Sequence, residues 1–337
     1  MKYRRFGRSG LQVSQVVFGA GYVGGIVILA DDDTRRRALR RALDAGINWI
    51  DTAPLYGQGR SEEALGWLLA EVKERPHLST KVRLDLAKLD DIPGEIERSM
   101  HESLRRLKRD SVDLLQLHNS IAARTGSGAL GAVSIDDVLR KGGVAEGLER
   151  MREQGLTRLV GLTALGEAPA IVRALDSGRF DSAQVYYNLL NPSAARAMPA
   201  GWTGHDFTGV CAACARHDIA MMNIRAFASG VLATDQRHGR EIALTENSAL
   251  EIETQRARAA FAALGALGAP ATGHGSRAQT ALRFSLANPA LACVVVGLGE
   301  PSHLEEVIEA EAMGPLAAAA IARLEAVYAN GFAAAGG

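Results

Sequence analysis

A single eight-stranded α/β barrel is the fold class this sequence predicts, on three observations. Short β-branched or leucine-rich runs alternate with longer segments of helical period, and the strand–helix pairs number eight, the arithmetic of a (β/α)8 TIM barrel. No clean G-x-G-x-x-G turn follows the first of these strands, because Gly19-Ala-Gly21 runs on as Tyr-Val-Gly-Gly25; an open doubly wound sheet would want one. No internal repeat or linker divides the 337 residues, a length that barrels use as one unit.

Each element has its local reason. Ahead of the barrel, Tyr3 to Phe6 and Leu11 to Val13 flank Gly7-Arg8-Ser9-Gly10, a hairpin signal. The first barrel strand is Gln15 to Phe18. The helix Asp33 to Ala45 follows: Asp32 or Asp33 can cap it, Leu39 and Leu43 share a face, and Gly46 stops it. Next come a strand at Asn48 to Asp51, a helix at Ser61 to Leu69 and a strand at Leu78 to Lys81. Pro93 opens the helix that runs to Leu107, with Ile96, Met100, Leu104 and Leu107 as its apolar stripe. Val112 to Leu117 is dominated by valine and leucine, as expected of a strand covered on both sides. The alternation continues through Val144 to Gln154, closed by Gly155, then Leu159 to Leu162, Glu167 to Ser177 and Ser182 to Tyr186. Asp206 to Arg216, Ala220 to Ile224, Ser276 to Ala287, Ala292 to Val296 and Pro301 to Ala310 complete it. Asn119 to Val133 and Ala266 to Gly275 read as loose stretches. One barrel domain is expected over residues 1–331, with 332–337 as a frayed tail.

Composition narrows the function. Hydrophobic residues make up 47% and charged residues 23%, enough for a sizeable core. Lys+Arg and Asp+Glu both number 38, so no concentrated positive field favours nucleic acid or an anionic membrane. No run approaches the roughly 20 apolar residues of a membrane span. Met1-Lys2-Tyr3-Arg4-Arg5 has no apolar signal core behind it, so a cytoplasmic protein with a small-molecule partner is expected. The oligomeric state is left open. Three cysteines, Cys211, Cys214 and Cys293, are too few for a disulfide framework. Cys211 and Cys214 form a C-x-x-C in a helical segment, without the second half of a zinc site; they read as small buried side chains.

In such a barrel, reacting groups lie on the loops that follow the strands. The strand exits here offer Asp51, Tyr56, Lys81 and His118. Each has an ordinary reading alone: a packed histidine, a solvated lysine, a tyrosine closing a turn. Together they make a chemical device. A phenol with a pKa near ~10 is a poor acid at neutral pH. An ammonium beside it, from Lys81, favours the phenolate, and Asp51 supplies the counter-charge. A neutral His118 can orient a substrate oxygen, while Tyr56 gives a proton to a carbonyl or takes one from an alcohol.

The ordered motifs Gly46-Ile-Asn-Trp-Ile-Asp-Thr-Ala-Pro-Leu-Tyr-Gly-Gln-Gly-Arg-Ser-Glu-Glu63, Ser79-Thr-Lys81, Ser103-Leu-Arg-Arg-Leu107, Val112-Asp-Leu-Leu-Gln-Leu-His118 and Gln184-Val-Tyr-Tyr-Asn188 carry a resemblance. Over nearly the whole chain the sequence resembles the aldo-keto reductase superfamily. The resemblance implies a barrel whose base is capped by the N-terminal hairpin, NAD(P) bound extended at the strand ends, no metal, and a catalytic tetrad of Asp51, Tyr56, Lys81 and His118. It also implies that Thr163 and Gln184 hold the nicotinamide amide, although Ala164 stands where the family usually has asparagine. Ile224 stands where an aromatic ring normally stacks. Arg225, Phe227 and Ser229 are expected along the pyrophosphate, Gly297 and Gly299 near the phosphates, and Glu306 at the adenine. Glu300 and His303 occupy positions where users of NADP place basic residues. A carboxylate there repels a 2′-phosphate and can bond a ribose diol, so NAD(H) is favoured over NADP(H).

The departures look closest to the NAD-linked sugar dehydrogenase branch, which oxidises aldoses to lactones. Tyr22 and Asn119 are then candidate substrate contacts, and Trp202 a lid residue. Two alternatives share the resemblance: a general aldehyde or ketone reductase, and a cofactor-binding regulatory subunit of an ion channel. A metal-dependent barrel hydrolase would need a histidine–carboxylate cluster that the strand exits do not offer.

Overall fold

The computed structural model describes residues 1–128, 131–200, 202–237, 239, 241, 249–265 and 273–332. β1 (Tyr3–Phe6) and β2 (Leu11–Ser14) pair antiparallel, Phe6 opposite Leu11, around a 3-10 turn that ends at Gly10 with φ 72°. β3 (Val16–Gly19) follows, then the short α1 (Ile26–Leu29), which the periodicity does not reveal. α2 (Asp32–Asp44) is capped by Asp31, whose carboxylate accepts from the Thr34 N–H; the cap lies one residue earlier than the aspartates expected. Asp32 and Asp33 instead occupy the first turn, where negative charge suits the helix dipole, and Gly46 stops the helix at φ 86°.

β4 (Trp49–Asp51), α3 (Arg60–Leu68), β5 (His77–Val82), α4 (Ile92–Leu107) and β6 (Val112–Leu117) come next. The loop after β6 is not loose throughout. β7 (Ser120–Ala122) pairs in parallel with β8 (Ala132–Ser134), segments of three residues that are too short for a period to mark. The remaining elements are α5 (Ile135–Leu139), α6 (Val144–Glu153), β9 (Thr157–Ala164), α7 (Ala168–Asp176) and β10 (Ser182–Tyr186). Then follow α8 (Val210–Arg216), β11 (Ala220–Ile224), α9 (Leu250–Ala263) and α10 (Arg277–Leu286). β12 (Cys293–Gly297), α11 (Pro301–Met313) and α12 (Ala318–Ala329) end the series. α8 starts four residues later than expected, because Gly209 at φ 95° sets its boundary. α5, α9 and α12 are additions to the sequence reading. Residues 266–272 of the second loose stretch, and 333–337 of the tail, lie outside the described residues. Phe332, placed in the frayed tail by sequence, is buried, its ring 6.1 Å from Trp202 and 5.8 Å from Tyr328.

Eight parallel strands close into a barrel in the order β3-β4-β5-β6-β9-β10-β11-β12, with β12 bonded back to β3. Side chains alternate along a strand, so every second residue faces inward. Val17, Trp49, Leu114, Leu159, Met222 and Cys293 fill the base together with Phe6 and Val13 of the hairpin. The Phe6 ring stacks on Trp49 at 4.7 Å, and the hairpin is the plug. The opposite parity, including Phe18, Ile50, Leu115, Leu162 and Val296, meets the helices in the outer core. Continuing the inward parity past the apolar base puts Asp51, Ser79, Lys81, Gln116 and Thr163 in the upper interior. No helix among the described residues is long and apolar enough to cross a membrane.

Truncating the plug tests this account. Phe6→Ala should lower the unfolding free energy by about 3–5 kcal/mol, the usual range for emptying a buried phenylalanine site, as read by urea denaturation. A loss well under that range would mean the hairpin is not part of the core.

Candidate active site

Strand parity builds the site from beneath. Asp51 ends β4 two residues after Trp49, and Lys81 lies two residues after Ser79 on β5; both side chains are fully buried inside the barrel. Lys81 Nζ stands 2.5 Å from Asp51 Oδ2 and 2.8 Å from the Thr52 carbonyl, to which it donates. Its third direction is Tyr56 Oη, at 3.3 Å. The other Asp51 oxygen accepts from Ser79 Oγ at 2.7 Å, Gln184 Nε2 at 3.0 Å and Gln116 Nε2 at 3.4 Å. Trp49 Nε1 donates in turn to Ser79 Oγ at 3.0 Å, so the carboxylate is fixed from below. Burial alone would lower the Lys81 ammonium, but the charges of Asp51 and Tyr56 and the hydrogen bonds to both carry it above the usual lysine range. The lysine stays charged although it is buried.

His118 directly follows β6, its ring edge-on to Tyr56 with centroids 5.7 Å apart. Burial, then the positive charges of Lys81, Arg83 and Arg225, hold its imidazole well below the usual histidine range. The ring is therefore neutral, and its buried Nδ1 has no hydrogen-bond partner.

Asp51, Tyr56 and His118 line one end of a cleft of about 1080 Å³ at the barrel mouth. Thr163, Gln184 and Ile224 line it further on, as do Arg225, Phe227 and Ser229. Gly297, Gly299, Glu300 and Glu306 line the part beside β12, and Tyr22 lies at the cleft with exposed surface. All of these were singled out from sequence. Two features suit an extended polar ligand there. Thr163 Oγ1 is buried without a partner, an unmet hydrogen-bonding group facing the cleft. The first loop also lies directly on the β12 exit, where a Cβ at Gly24 would stand 2.4 Å from the Leu298 nitrogen; only glycine permits this approach. At the far end Glu300 precedes α11, Glu306 is tied to the hydroxyl of Ser276, and His303 Nδ1 accepts from the Gly299 N–H at 3.2 Å.

Two expected substrate contacts are not at the cleft. Asn119 is fully buried, accepting from the Leu84 N–H at 2.8 Å and donating to the Leu84 carbonyl at 3.1 Å. Next to an inward-facing His118, strand parity turns it outward. Trp202, expected as a lid residue, packs edge-on against Tyr328 at 6.4 Å on the C-terminal side, outside the residues that line the cleft. Sequence reasoning in turn missed Ser79 and Gln116 beneath Asp51, and Arg83 on the cleft. Their parity with Lys81 and Leu114 was the available signal. Cys211 and Cys214 are free and buried in α8, burial pushing the Cys211 thiol up to about 12.

The chain is similar to known proteins over nearly its whole length. The profile of the aldo/keto reductase family matches residues 15–329. L-galactose dehydrogenase of Arabidopsis thaliana is 30% identical over 168 residues, which span 49% of either chain. D-threo-aldose 1-dehydrogenase of Pseudomonas sp is 28% identical over 262 residues, 69% of this chain and 72% of that one. The holo form of an aldo-keto reductase from Bacillus halodurans superposes with a TM-score of 0.72 at 23% identity, covering 97% of this chain and 96% of the other.

A neutral buried His118 has a consequence for stability. Below about pH 6.5 the unfolded chain protonates this histidine and the folded chain does not. The unfolded state then binds more protons, so stability falls as pH drops through that window. Urea denaturation at successive pH values between 7.5 and 5 should show the decline, and His118→Gln should lessen it. An identical decline in both proteins would detach His118 from the effect.

Proposed function

The chain belongs to the aldo/keto reductase family, oxidoreductases acting on carbonyl and alcohol groups, and on that premise we propose that it interconverts an alcohol or aldose and its carbonyl compound or lactone with a nicotinamide dinucleotide, Tyr56 being the general acid and base. One observation carries the reading: Lys81 Nζ lies between the Asp51 carboxylate, at 2.5 Å, and Tyr56 Oη, at 3.3 Å, at a cleft roomy enough for a dinucleotide.

When bound, the nicotinamide supplies the hydride for carbonyl reduction and takes it up for alcohol oxidation. Tyr56 gives its Oη proton to the substrate oxygen in the first direction and accepts the alcohol proton in the second. Negative charge left on Oη meets the Lys81 ammonium, which Asp51 holds in place by direct contact. His118 offers the substrate oxygen a neutral hydrogen-bonding group and so orients it. Thr163 would hold the nicotinamide amide through its unpartnered hydroxyl, with Gln184 shared between that amide and Asp51. Ile224 would form the aliphatic wall behind the ring, Phe227 and Ser229 would flank the pyrophosphate, and Gly297 and Gly299 would admit the phosphates. Glu300 and Glu306 would meet the adenosine. A carboxylate at Glu300 opposes a 2′-phosphate, which supports NAD(H) over NADP(H). The two sugar dehydrogenases among the relatives support an aldose as substrate, with Tyr22 at the cleft within reach of its hydroxyls.

A panel of aldoses and aldehydes assayed with NAD(H) and NADP(H) in parallel, following absorbance of the reduced cofactor, tests the reading. Tyr56→Phe should lower kcat by about 10²–10⁴-fold, the usual worth of a positioned acid–base group, while dinucleotide binding measured by fluorescence stays near wild type. An unchanged rate would remove the acid–base role, and a preference for NADP(H) would overturn the argument from Glu300.

A further inference from the structure

The motif that opens with Gln184 ends at Asn188, and the reaction gives Asn188 no part. Its side chain reaches a strained stretch of the cleft wall. Arg225, the residue after β11, has φ 62°, and Ala228 and Ser229 beyond it lie at 46° and 53°. Left-handed backbone at three non-glycine residues within five is disfavoured by their own Cβ atoms and has to be held by its surroundings. Arg225, Ala226, Phe227, Ser229 and Gly230 all line the cleft, so the shape of this turn is the shape of the wall.

Two asparagines hold it. The φ and ψ of a residue are set once the peptide planes on either side of its Cα are set. At Arg225 both planes are pinned. Asn223, fully buried on β11, donates from Nδ2 to the Ile224 carbonyl at 3.0 Å. The same amide reaches the carbonyls of Tyr187 and Val185 on the β10 side, at 2.6 and 3.3 Å. Asn188, also fully buried, donates from Nδ2 to the Arg225 carbonyl at 3.0 Å. Its Oδ1 accepts from the N–H groups of Leu190 and Asn191, at 2.9 and 3.0 Å, which keeps the amide from turning over. The Arg225 carbonyl also accepts from the Ala228 N–H at 2.9 Å, and the Phe227 carbonyl accepts from Gly230 and Leu232. The fixed plane thus passes its orientation along the turn. Every one of these bonds is made inside the protein.

We infer that Asn188 and Asn223 are positioning residues that hold 225–230 in its ligand-accepting shape before the dinucleotide arrives, an assignment that rests on the dinucleotide reading above. Neither asparagine lines the cleft. When only a fraction of molecules has a competent site, the apparent Kd rises by the reciprocal of that fraction. With both amides in place the fraction is close to one, and relieving strain changes nothing. Without them the strain draws the turn into other shapes, and relief matters.

Dinucleotide binding read by fluorescence tests this without turnover. Asn188→Ala and Asn223→Ala should each raise the Kd for NAD(H) by roughly 10- to 100-fold, the effect of unpairing a buried carbonyl, with kcat at saturating dinucleotide near wild type. Ala228 does not line the cleft. Ala228→Gly removes a Cβ at a left-handed position, so it should leave the wild-type Kd unchanged and recover roughly fivefold in either asparagine variant. Hydrogen exchange of the wild-type protein gives a second reading that needs no variant to fold. The amides of Ala228, Gly230, Val231 and Leu232, each bonded within the turn, should be protected in the absence of dinucleotide. Free exchange that slows only on adding NAD would mean that the ligand orders the turn, and would overturn the inference. Asparagine variants that lose stability yet keep the wild-type Kd, or a glycine that recovers nothing, would overturn it too. A wild-type protein that binds neither NAD(H) nor NADP(H) would instead sink the dinucleotide reading itself, and this assignment with it.

Discussion

A fully buried ion pair, Lys81 with Asp51, constrains everything else in this molecule. Two opposite charges inside a barrel attract strongly, but each loses its hydration, and the attraction offsets that loss only when the remaining hydrogen-bonding positions are filled. They are filled here. Asp51 receives Ser79, Gln184 and Gln116, and Lys81 gives to the Thr52 carbonyl. Losing one partner of such a pair typically costs about 3–5 kcal/mol, so the barrel interior cannot drift without penalty. The direction left to the ammonium is toward Tyr56 Oη, at 3.3 Å.

This pair also explains the division of the barrel into two halves. Below it, Trp49, Leu114 and Met222 close on Phe6 of the hairpin and keep water from entering the base. Above it, the same inward parity carries polar side chains up to the open mouth. A charge at that boundary feels low dielectric beneath and the open cleft above. The same environment keeps His118 neutral, through burial first and then the positive charges of Lys81, Arg83 and Arg225. The segment after β11 is the second constrained region, where the strain at Arg225, Ala228 and Ser229 is balanced by the amide side chains of Asn188 and Asn223 rather than by glycine.

Asp51, Tyr56, Lys81 and His118 were legible because each stands at a strand end or on the loop that follows it, and strand exits are marked by local signals: an apolar run ending in a polar residue. Thr163, Gln184, Gly297, Gly299 and Glu306 were singled out through their motifs, and they line one cleft. Asn119 misled because adjacency in sequence was taken for adjacency in function, whereas the pleat sends neighbours to opposite faces. Trp202 misled because its partners Tyr328 and Phe332 are far along the chain, and no local pattern announces them. α9 escaped notice because its run is alanine-rich, with a buried Glu253 on its packed side and no strong apolar stripe.

Sequence alone determined the strand and helix periods, the barrel they imply, and which side chains leave the strand ends, since period and boundary are set by residues close to one another. Tertiary structure decided what those side chains meet. The closure of β12 onto β3, the plug of Phe6 on Trp49, the fan of donors on Asp51 and the inward turn of Arg225 all join residues distant along the chain. Burial and charge balance are properties of that assembled interior, and no local pattern carries them.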